Sequence, residues 1–300
     1  MHVAVTGATG GIGSWIVESL ASAGHEVLGL DLERPPGERD NATFLAGDLT
    51  DQGVAWETIG RADPDAVVHC AGIPAMGIRA GGETFETNVL STYHVLEAAG
   101  RAGADVVWTS SESTYGMPFA ATPSLPDYLP IDEDHPQRPE DPYGTSKLVG
   151  EVIAERTVRA FGVPVTSLRP AWVSYPGSRQ LARVREALDP ETAEPGDEGS
   201  GNFWSYVDVR DLVSLVEAAL EADREGHEAY LAVAAENYLG RPTAPTIEAV
   251  YGDLPEDCGL EGEESAFTTA KAREELGWKP EHSWREAEQE PSREPSFLDG

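Results

Sequence analysis

The stretch VAVTGATGGIGSWIVESL, residues 3–20, joins an apolar run, a glycine-rich turn and a helical pattern of apolar residues. Its glycines Gly7, Gly10 and Gly13 follow the spacing G-x-x-G-x-x-G. Glycines at such a turn let the backbone approach a pyrophosphate, and the helix N-terminus supplies N–H donors and a partial positive charge. A glycine triplet alone also fits a plain tight turn. The context of strand, turn and helix favours a dinucleotide site.

Apolar runs alternate with helical patterns beyond this stretch. The alternation predicts an α/β fold, a Rossmann-like, doubly wound parallel sheet wrapped by helices. We predict strands at residues 2–7, 25–31, 42–47, 65–72, 104–111 and 163–170. We predict helices at residues 12–23, 85–102, 143–161, 180–188 and 209–222.

After residue 170 the predicted helices and strands become shorter and less regular. We therefore expect residues 1–170 to form the dinucleotide-binding Rossmann domain. Residues 171–300 should form mainly a small C-terminal substrate-binding region, with residues 203–235 returning to the Rossmann core. Residues 290–300, EPSREPSFLDG, are expected to be poorly ordered.

The charge balance is strongly acidic, with 53 acidic against 21 basic residues and a formal net charge of -32. Such a surface repels nucleic acid and anionic membranes, so we expect neither as a partner. The acids are dispersed along the chain, which favours a solvated surface over an acidic tail. Only three of the basic residues are lysines. This composition resembles that of proteins from salt-loving organisms, where screening by salt reduces self-repulsion.

The lack of certain sequence features predicts the cellular compartment of the protein. No apolar run approaches the ~18 residues of a membrane-spanning helix, and no charged-then-apolar leader follows Met1. Cys70 and Cys258 have no metal-binding spacing and read as free thiols. We expect a cytoplasmic, globular protein without a metal site.

Asp31 closes the second predicted strand, 21 residues after Gly10. Dinucleotide folds place a carboxylate at this point, where it accepts hydrogen bonds from the adenosine ribose. A 2′-phosphate would meet like charge, so NAD is favoured over NADP, although Arg34 could soften this discrimination. An exposed aspartate at a strand end is the alternative.

Tyr143 and Lys147 stand at i and i+4 of a predicted helix, so they share one face. Lowering a tyrosine pKa from ~10 to ~7 needs about 4 kcal/mol, and one ammonium ~5 Å away supplies roughly 3 kcal/mol. The positive charge of an oxidised nicotinamide could supply the remainder, and Tyr143 would then act as a general base for an alcohol proton. An ordinary surface pair is the alternative, which the scarcity of lysine makes less attractive.

Several further motifs occur in order along the chain. They are TGATGGIG (6–13), GDLTD (47–51), HCAG (69–72), TSSESTYG (109–116), PYGTSK (142–147), LRPAWVSYPG (168–177) and LGWKP (276–280). With these motifs the chain resembles the extended short-chain dehydrogenase/reductase family, which includes sugar epimerases and dehydratases. The resemblance covers nearly the whole chain and implies a homodimer.

The resemblance also implies the roles of individual residues, with NAD as the cofactor. Ser111 would hydrogen-bond the reacting hydroxyl, Tyr143 would take its proton, and Lys147 would also hold the nicotinamide ribose. Asn88 matches a family asparagine, although a polar residue inside a helix explains it nearly as well. The cofactor-binding residues would be Gly7, Gly10, Gly11, Ile12, Gly13, Asp31, Asp48, Leu49, Ala71, Asn88, Tyr143 and Lys147. The substrate would contact Ser111, Glu112 and Arg179.

Two departures from the family bear on the substrate. Trp204 stands near the position of an arginine that binds the substrate pyrophosphate in nucleotide-sugar epimerases, and residues 253–264 hold six acids and no base. A nucleotide-diphosphate substrate is therefore in doubt. Arg179 lies in an arginine cluster, and the related uronate dehydrogenases place an arginine for the sugar carboxylate in a comparable segment. Pairing of these arginines with Glu186 and Asp189 is the alternative.

The sequence thus predicts an NAD-dependent oxidoreductase that takes a hydride from a sugar, with a free sugar or a uronate favoured. A nucleotide-sugar 4-epimerase or dehydratase is one alternative. A non-catalytic, NAD-binding redox sensor is another, and the presence of Ser111, Tyr143 and Lys147 argues against it.

Overall fold

The sheet that the sequence predicts is present. A computed structural model describes residues 1–189 and 192–298. Its strands are β1 (His2–Thr6), β2 (Glu26–Asp31), β3 (Ala42–Ala46), β4 (Ala66–His69), β5 (Asp105–Thr109), β6 (Val165–Pro170), β7 (Trp172–Ser174), β8 (Tyr206–Asp208) and β9 (His227–Ala232). Seven of these form one parallel sheet in the order β3-β2-β1-β4-β5-β6-β9, and β7 pairs with β8. The prediction of an α/β, doubly wound parallel sheet is confirmed.

Helices cover both faces of the sheet. They are α1 (Gly13–Ser22), α2 (Gln52–Ala62), α3 (Gly81–Ala102), α4 (Pro142–Phe161), α5 (Gln180–Ala187), α6 (Val209–Glu221), α7 (Thr243–Tyr251), α8 (Ala270–Leu276) and α9 (Trp284–Ala287). Alternate side chains of β1 point to opposite faces, so Val3 and Val5 join one core with α1 and α6. Ala4 joins the other core, with α2, α3 and α4.

The sequence reading missed α2, whose amphipathic pattern is weak. Within its bounds only Ala55 and Ile59 are buried, one helical turn apart. The helix begins at the N-cap Asp51, whose carboxylate accepts from the N–H of Gly53, and ends at Asp63 in the left-handed region. Two caps and one buried stripe are enough once the neighbouring helix α3 covers that stripe.

The expected disorder of residues 290–300 is wrong for the part that the structure describes. Phe297 is fully buried and its ring lies 5.0 Å from that of Phe44. The N–H of Gly37 donates to the carbonyl of Phe297 at 3.0 Å. Polar composition gave no signal for this remote contact. Residues 299 and 300 lie outside the described residues.

A third apolar core is separate from the two that flank the sheet. It contains Phe203, Trp204, Tyr238 and Phe267, and Ile247 of α7 packs into it. From residues 203–235, β9 pairs with β6 and α6 packs against α1. The predicted domain boundaries themselves stay predictions. None of the helices described is both long and apolar enough to cross a bilayer.

Candidate active site

The predicted site residues collect at one edge of the sheet. Because the strands are parallel, the residues that follow or close β1, β2, β4 and β5 meet at the carboxyl edge, among them Gly7, Asp31, Ala71 and Ser111. The chain order reverses between β1 and β4, and this switch point opens the crevice where doubly wound sheets bind their ligands.

The glycine turn between β1 and α1 leaves no room for a side chain at Gly13. A Cβ at that position would lie 2.1 Å from the carbonyl oxygen of Gly7. Gly10 and Gly11 are exposed at the crevice. The first N–H groups of an α-helix have no partner inside the helix and therefore attract an anion. These residues fit the pyrophosphate of a dinucleotide such as NAD.

Asp31 fastens this turn to β2. Its Oδ2 accepts from the N–H of Thr9 at 2.9 Å and from the Thr9 hydroxyl at 2.7 Å, and its Oδ1 accepts from the N–H of Leu32. The Asp31 carboxylate is therefore partly buried, and both of its oxygens accept hydrogen bonds. It holds the glycine turn in place and still presents negative charge where a ribose would bind.

The other expected cofactor residues lie around the same edge. Asp48 accepts from both the N–H and the hydroxyl of Thr50. Leu49 is buried. Asn88 is buried as well and exchanges two hydrogen bonds with the backbone of Ile73, which fixes the segment after β4. Asn88 thus shapes the crevice by holding the backbone of Ile73 in place.

The start of α4 brings Tyr143 to Ser111. Asp141 caps the helix by accepting from the N–H of Gly144 at 2.8 Å. A Cβ at Gly144 would lie 2.5 Å from the carbonyl of Ser113, so glycine allows α4 to pack directly on the 3₁₀ turn that follows Ser111. In this packing the Ser111 side chain is near enough to the phenol of Tyr143 to act on its pKa, in the lowering direction.

The net shift of the Tyr143 pKa is upward, against the expectation that it falls toward ~7. Burial raises the pKa of Tyr143 to about 12, and the Ser111 side chain only partly opposes this effect. Burial also lowers the pKa of Lys147 to about 8. The ammonium donates to the carbonyl of Thr109 at 2.8 Å and lies 5.7 Å from the centre of the Tyr143 ring. Burial is the largest cause of the shift for both residues.

His69 and Cys70 are uncharged neighbours of Lys147. Burial, and then the charge of Lys147, lower the pKa of His69 to about 3. Its two ring nitrogens contact the hydroxyls of Thr6 and Thr92. Burial raises the pKa of the Cys70 thiol to about 12. Neutral groups around the lysine leave its charge available to a ligand.

A cavity of about 780 Å³ opens beside Tyr143. Of the predicted residues, Ile12, Ser111, Glu112, Tyr143 and Lys147 line it. Its lining contains three acids, Glu112, Asp197 and Glu198, and among the described residues Lys147 is its one cation.

The structure does not bring Arg179 to the cavity lining. Its guanidinium is 70% exposed and donates to Glu186 at 2.8 Å. Arg183 likewise pairs with Glu198, and Arg185 with Glu288. The assignment of Arg179 to a sugar carboxylate is therefore corrected, because α5 turns its arginines to acids of the surrounding chain.

Among the cavity residues that sequence reasoning missed are Tyr175 and Asn202. Tyr175 lines the cavity, and its hydroxyl lies so close to Gly11 that a Cβ there would be 2.3 Å away. Asn202 also lines it and donates to Glu112 at 3.2 Å. Tyr175 lies within the motif LRPAWVSYPG, which could have directed attention to it, whereas no local pattern marks Asn202.

Comparison with known proteins gives a consistent result. A model of the NAD dependent epimerase/dehydratase family matches residues 3–232. The UDP-glucose 4-epimerase of Lactobacillus helveticus is 28% identical over 317 residues, covering 94% of this chain and 93% of that protein. The solved UDP-glucose 4-epimerase of Thermotoga maritima, with UDP-glucose, has a TM-score of 0.71, 22% identity and 96% coverage of each chain. A glucuronic acid dehydrogenase from Chromohalobacter salexigens has a TM-score of 0.66 and 22% identity, covering 99% of this chain and 93% of that one.

Proposed function

The chain belongs to the NAD-dependent epimerase/dehydratase family, and on that premise we propose that it oxidises a hydroxyl group of a nucleotide sugar and then reduces the carbonyl again, as a 4-epimerase. The observation that carries the proposal is the meeting of Ser111, Tyr143 and Lys147 at the wall of one cavity. The glycine turn at the neighbouring strand end fits the cofactor.

The proposed chemistry divides between the cofactor and the side chains. When bound, NAD accepts the hydrogen of the reacting carbon as a hydride. The hydroxyl proton passes to the phenolate oxygen of Tyr143, and Ser111 holds the hydroxyl oxygen in line by a hydrogen bond. Lys147 contributes positive charge near the phenol, so that the ionised form of Tyr143 becomes accessible during the reaction.

Sequence relatives support the epimerase over the dehydrogenase. Proteins named UDP-glucose 4-epimerase match 94% of the chain at 28% identity. Among solved structures the UDP-glucose 4-epimerase of Thermotoga maritima and the glucuronic acid dehydrogenase are both 22% identical, with TM-scores of 0.71 and 0.66. The position of Arg179 also removes the reason for favouring a uronate.

A second candidate, oxidation of a free neutral sugar with release of NADH, follows from a different observation. A nucleotide sugar carries a pyrophosphate, and the cavity lining sets Asp197 and Glu198 against one lysine. Charge-assisted hydrogen bonds from cations normally offset the repulsion of such an anion. A neutral sugar would need none.

The test supplies purified protein and NAD with UDP-glucose, UDP-galactose, glucose, galactose and the two uronates, at low and high salt. Chromatography follows the sugar and absorbance follows NADH. Conversion of UDP-glucose to UDP-galactose without net NADH supports the epimerase. Net NADH with a free sugar supports the second candidate, and no reaction with any sugar contradicts both.

The quaternary structure is a separate proposal. The family resemblance implies a homodimer of the 32.1 kDa chain. Light scattering after size exclusion measures the mass directly, and a monomeric mass at micromolar concentration contradicts the proposal.

A further inference from the structure

Unpartnered polar atoms cluster in and behind the wall of the cavity. Among the described residues, seven buried side-chain nitrogen or oxygen atoms have no hydrogen-bond partner. Four of them belong to Glu112, Asn202, Trp204 and Tyr238. Buried polar atoms are normally paired, so a concentration of exceptions indicates that a ligand completes them.

These four residues are neighbours. Glu112 and Asn202 line the cavity and are joined by a hydrogen bond of 3.2 Å between Asn202 Nδ2 and Glu112 Oε1. Trp204 and Tyr238 lie behind Gly199, where a Cβ would be 2.0 Å from the Tyr238 hydroxyl and 3.0 Å from the Trp204 ring. We call Glu112, Asn202, Trp204 and Tyr238 the polar cluster.

The backbone beside the cluster is strained. Phe203 and Trp204 adopt φ angles of 52° and 54°, in the left-handed region that non-glycine residues rarely occupy. Both side chains are buried, and Phe203 and Trp204 directly follow Asn202. Strain of this kind persists where the surrounding structure demands one geometry, and it is concentrated at ligand sites.

The unpartnered oxygens of Glu112 and Asn202 differ in whether they donate or accept a hydrogen bond. Glu112 is 5% exposed, and burial raises the pKa of its carboxyl well above the usual range, which favours the protonated form, whose Oε2 donates a hydrogen bond. The free Oδ1 of Asn202 can only accept. A hydroxyl group both accepts and donates, and therefore satisfies both atoms. A carboxylate or phosphate oxygen only accepts and would leave Asn202 Oδ1 unpaired.

We propose that Glu112 and Asn202 form a subsite for a non-reacting hydroxyl group of the sugar and thereby select a neutral sugar ring over one that carries a carboxylate at this position. The inference rests on the proposed function and specifies the substrate of the same site. Asp197 and Glu198 line the same cavity and add repulsion against an anion.

Isothermal calorimetry on the protein saturated with NAD tests the subsite, with UDP-glucose and UDP-glucuronate as probes. Wild type should bind UDP-glucose at least about tenfold more tightly than UDP-glucuronate. Glu112→Ala and Asn202→Ala should each weaken UDP-glucose binding roughly 5- to 30-fold, and the double variant only slightly more, because one hydroxyl bridges both residues.

Two further variants distinguish an effect of the subsite from misfolding and from a change in net charge. Glu112→Gln keeps the shape and a donor, and should bind UDP-glucose within about threefold of wild type. Glu57→Gln removes an acid of α2 that is 65% exposed and does not line the cavity, and it should leave UDP-glucose binding unchanged. A loss in Glu112→Ala that Glu112→Gln fully shares indicates misfolding or an ionised Glu112 and overturns the proposal.

The outcomes distinguish the two proposals. If wild type binds and converts UDP-glucose while Glu112→Ala and Asn202→Ala bind it normally, water fills the cluster and the subsite is wrong although the function stands. If wild type binds UDP-glucuronate as tightly as UDP-glucose, the selection is wrong. If wild type neither binds nor converts any sugar, the proposed function fails and the subsite fails with it.

Discussion

Arg169 of β6 and Glu151 of α4 form a two-point ion pair that is closed off from solvent. Nε donates to Oε1 at 2.9 Å and Nη2 to Oε2 at 2.7 Å, and both side chains are 7% exposed or less. Ser110 donates to the same carboxylate, and the remaining guanidinium nitrogen donates to the Tyr115 hydroxyl. The pair therefore joins α4, β6 and the turn after β5, which together present Ser111 and Tyr143.

Removing one partner of this pair should destabilise the protein strongly. Arg169→Met leaves Glu151 buried without its cation, which typically lowers the free energy of unfolding by about 3–5 kcal/mol. Denaturant unfolding measures the change. The exposed pair of Arg61 and Glu57 provides the control, because Arg61→Met should cost no more than about 0.5 kcal/mol. Equal effects of the two substitutions would show that the buried pair is not structural.

Tyr143→Phe should remove most of the activity and spare the cofactor. The ring stays while the ionisable group is lost, so turnover should fall by about 10² to 10⁴. NAD affinity, measured by calorimetry, should stay within a few-fold. Tyr93→Phe on α3 is the matched control and should turn over normally. Activity of the Tyr143 variant near that of wild type would sink the assignment of the base.

Lys147→Met should alter the pH dependence of stability. The pKa of Lys147 is about 8 in the folded protein, below the usual 10.5, so between these values the unfolded chain binds more protons and the free energy of unfolding rises with pH. The variant lacks this rise. Its stability relative to wild type should therefore drop by about 3 kcal/mol from pH 8 to pH 10.5.

Chemical denaturation of the cofactor-free proteins across this pH range measures the difference. Lys279→Met is the control, because that side chain is 66% exposed. A difference between Lys147→Met and wild type that stays constant with pH would contradict the burial of a charged amine.

Asp31→Asn should narrow the preference for NAD over NADP. The asparagine keeps an oxygen that can accept from Thr9 and removes the charge that repels a 2′-phosphate. Titration with both cofactors gives the ratio of affinities. Asp31→Ala, which also frees the glycine turn, should weaken both cofactors. An unchanged ratio in Asp31→Asn means that Asp31 does not face the ribose.

The thermal midpoint should climb as KCl rises from dilute buffer into the molar range. The net charge of -32 produces self-repulsion that counter-ions screen. Calorimetry at several KCl concentrations measures this, and sucrose, which stabilises without screening, is the control. A midpoint that sucrose raises and KCl leaves unchanged would show that the acidic surface is no adaptation to salt.

Features whose geometry a single element determines could be predicted from the sequence. The glycine turn lies between one strand and one helix, and Tyr143 and Lys147 share one helical face, so spacing alone placed them. The alternation of apolar runs with helices likewise predicted the parallel sheet.

Features that depend on remote packing could not be predicted. The partner of Glu112 lies 90 residues away at Asn202, and no local pattern encodes that contact. The pKa of Tyr143 depends on how deeply the phenol is buried, which the spacing to Lys147 does not reveal. Arg179 failed for a related reason, since Glu186 on its own helix pairs with it.

The contact between Phe297 and Phe44 has a consequence for biosynthesis. The two rings are separated by 253 residues, 297 minus 44, so the outer strands of the sheet emerge from the ribosome long before Phe297 is translated. At about 5–20 residues per second the delay is roughly 13–50 s. During that time Phe44 of the edge strand β3 lacks its cover from Phe297. A chaperone or a truncated product would have its greatest effect on folding yield in this interval.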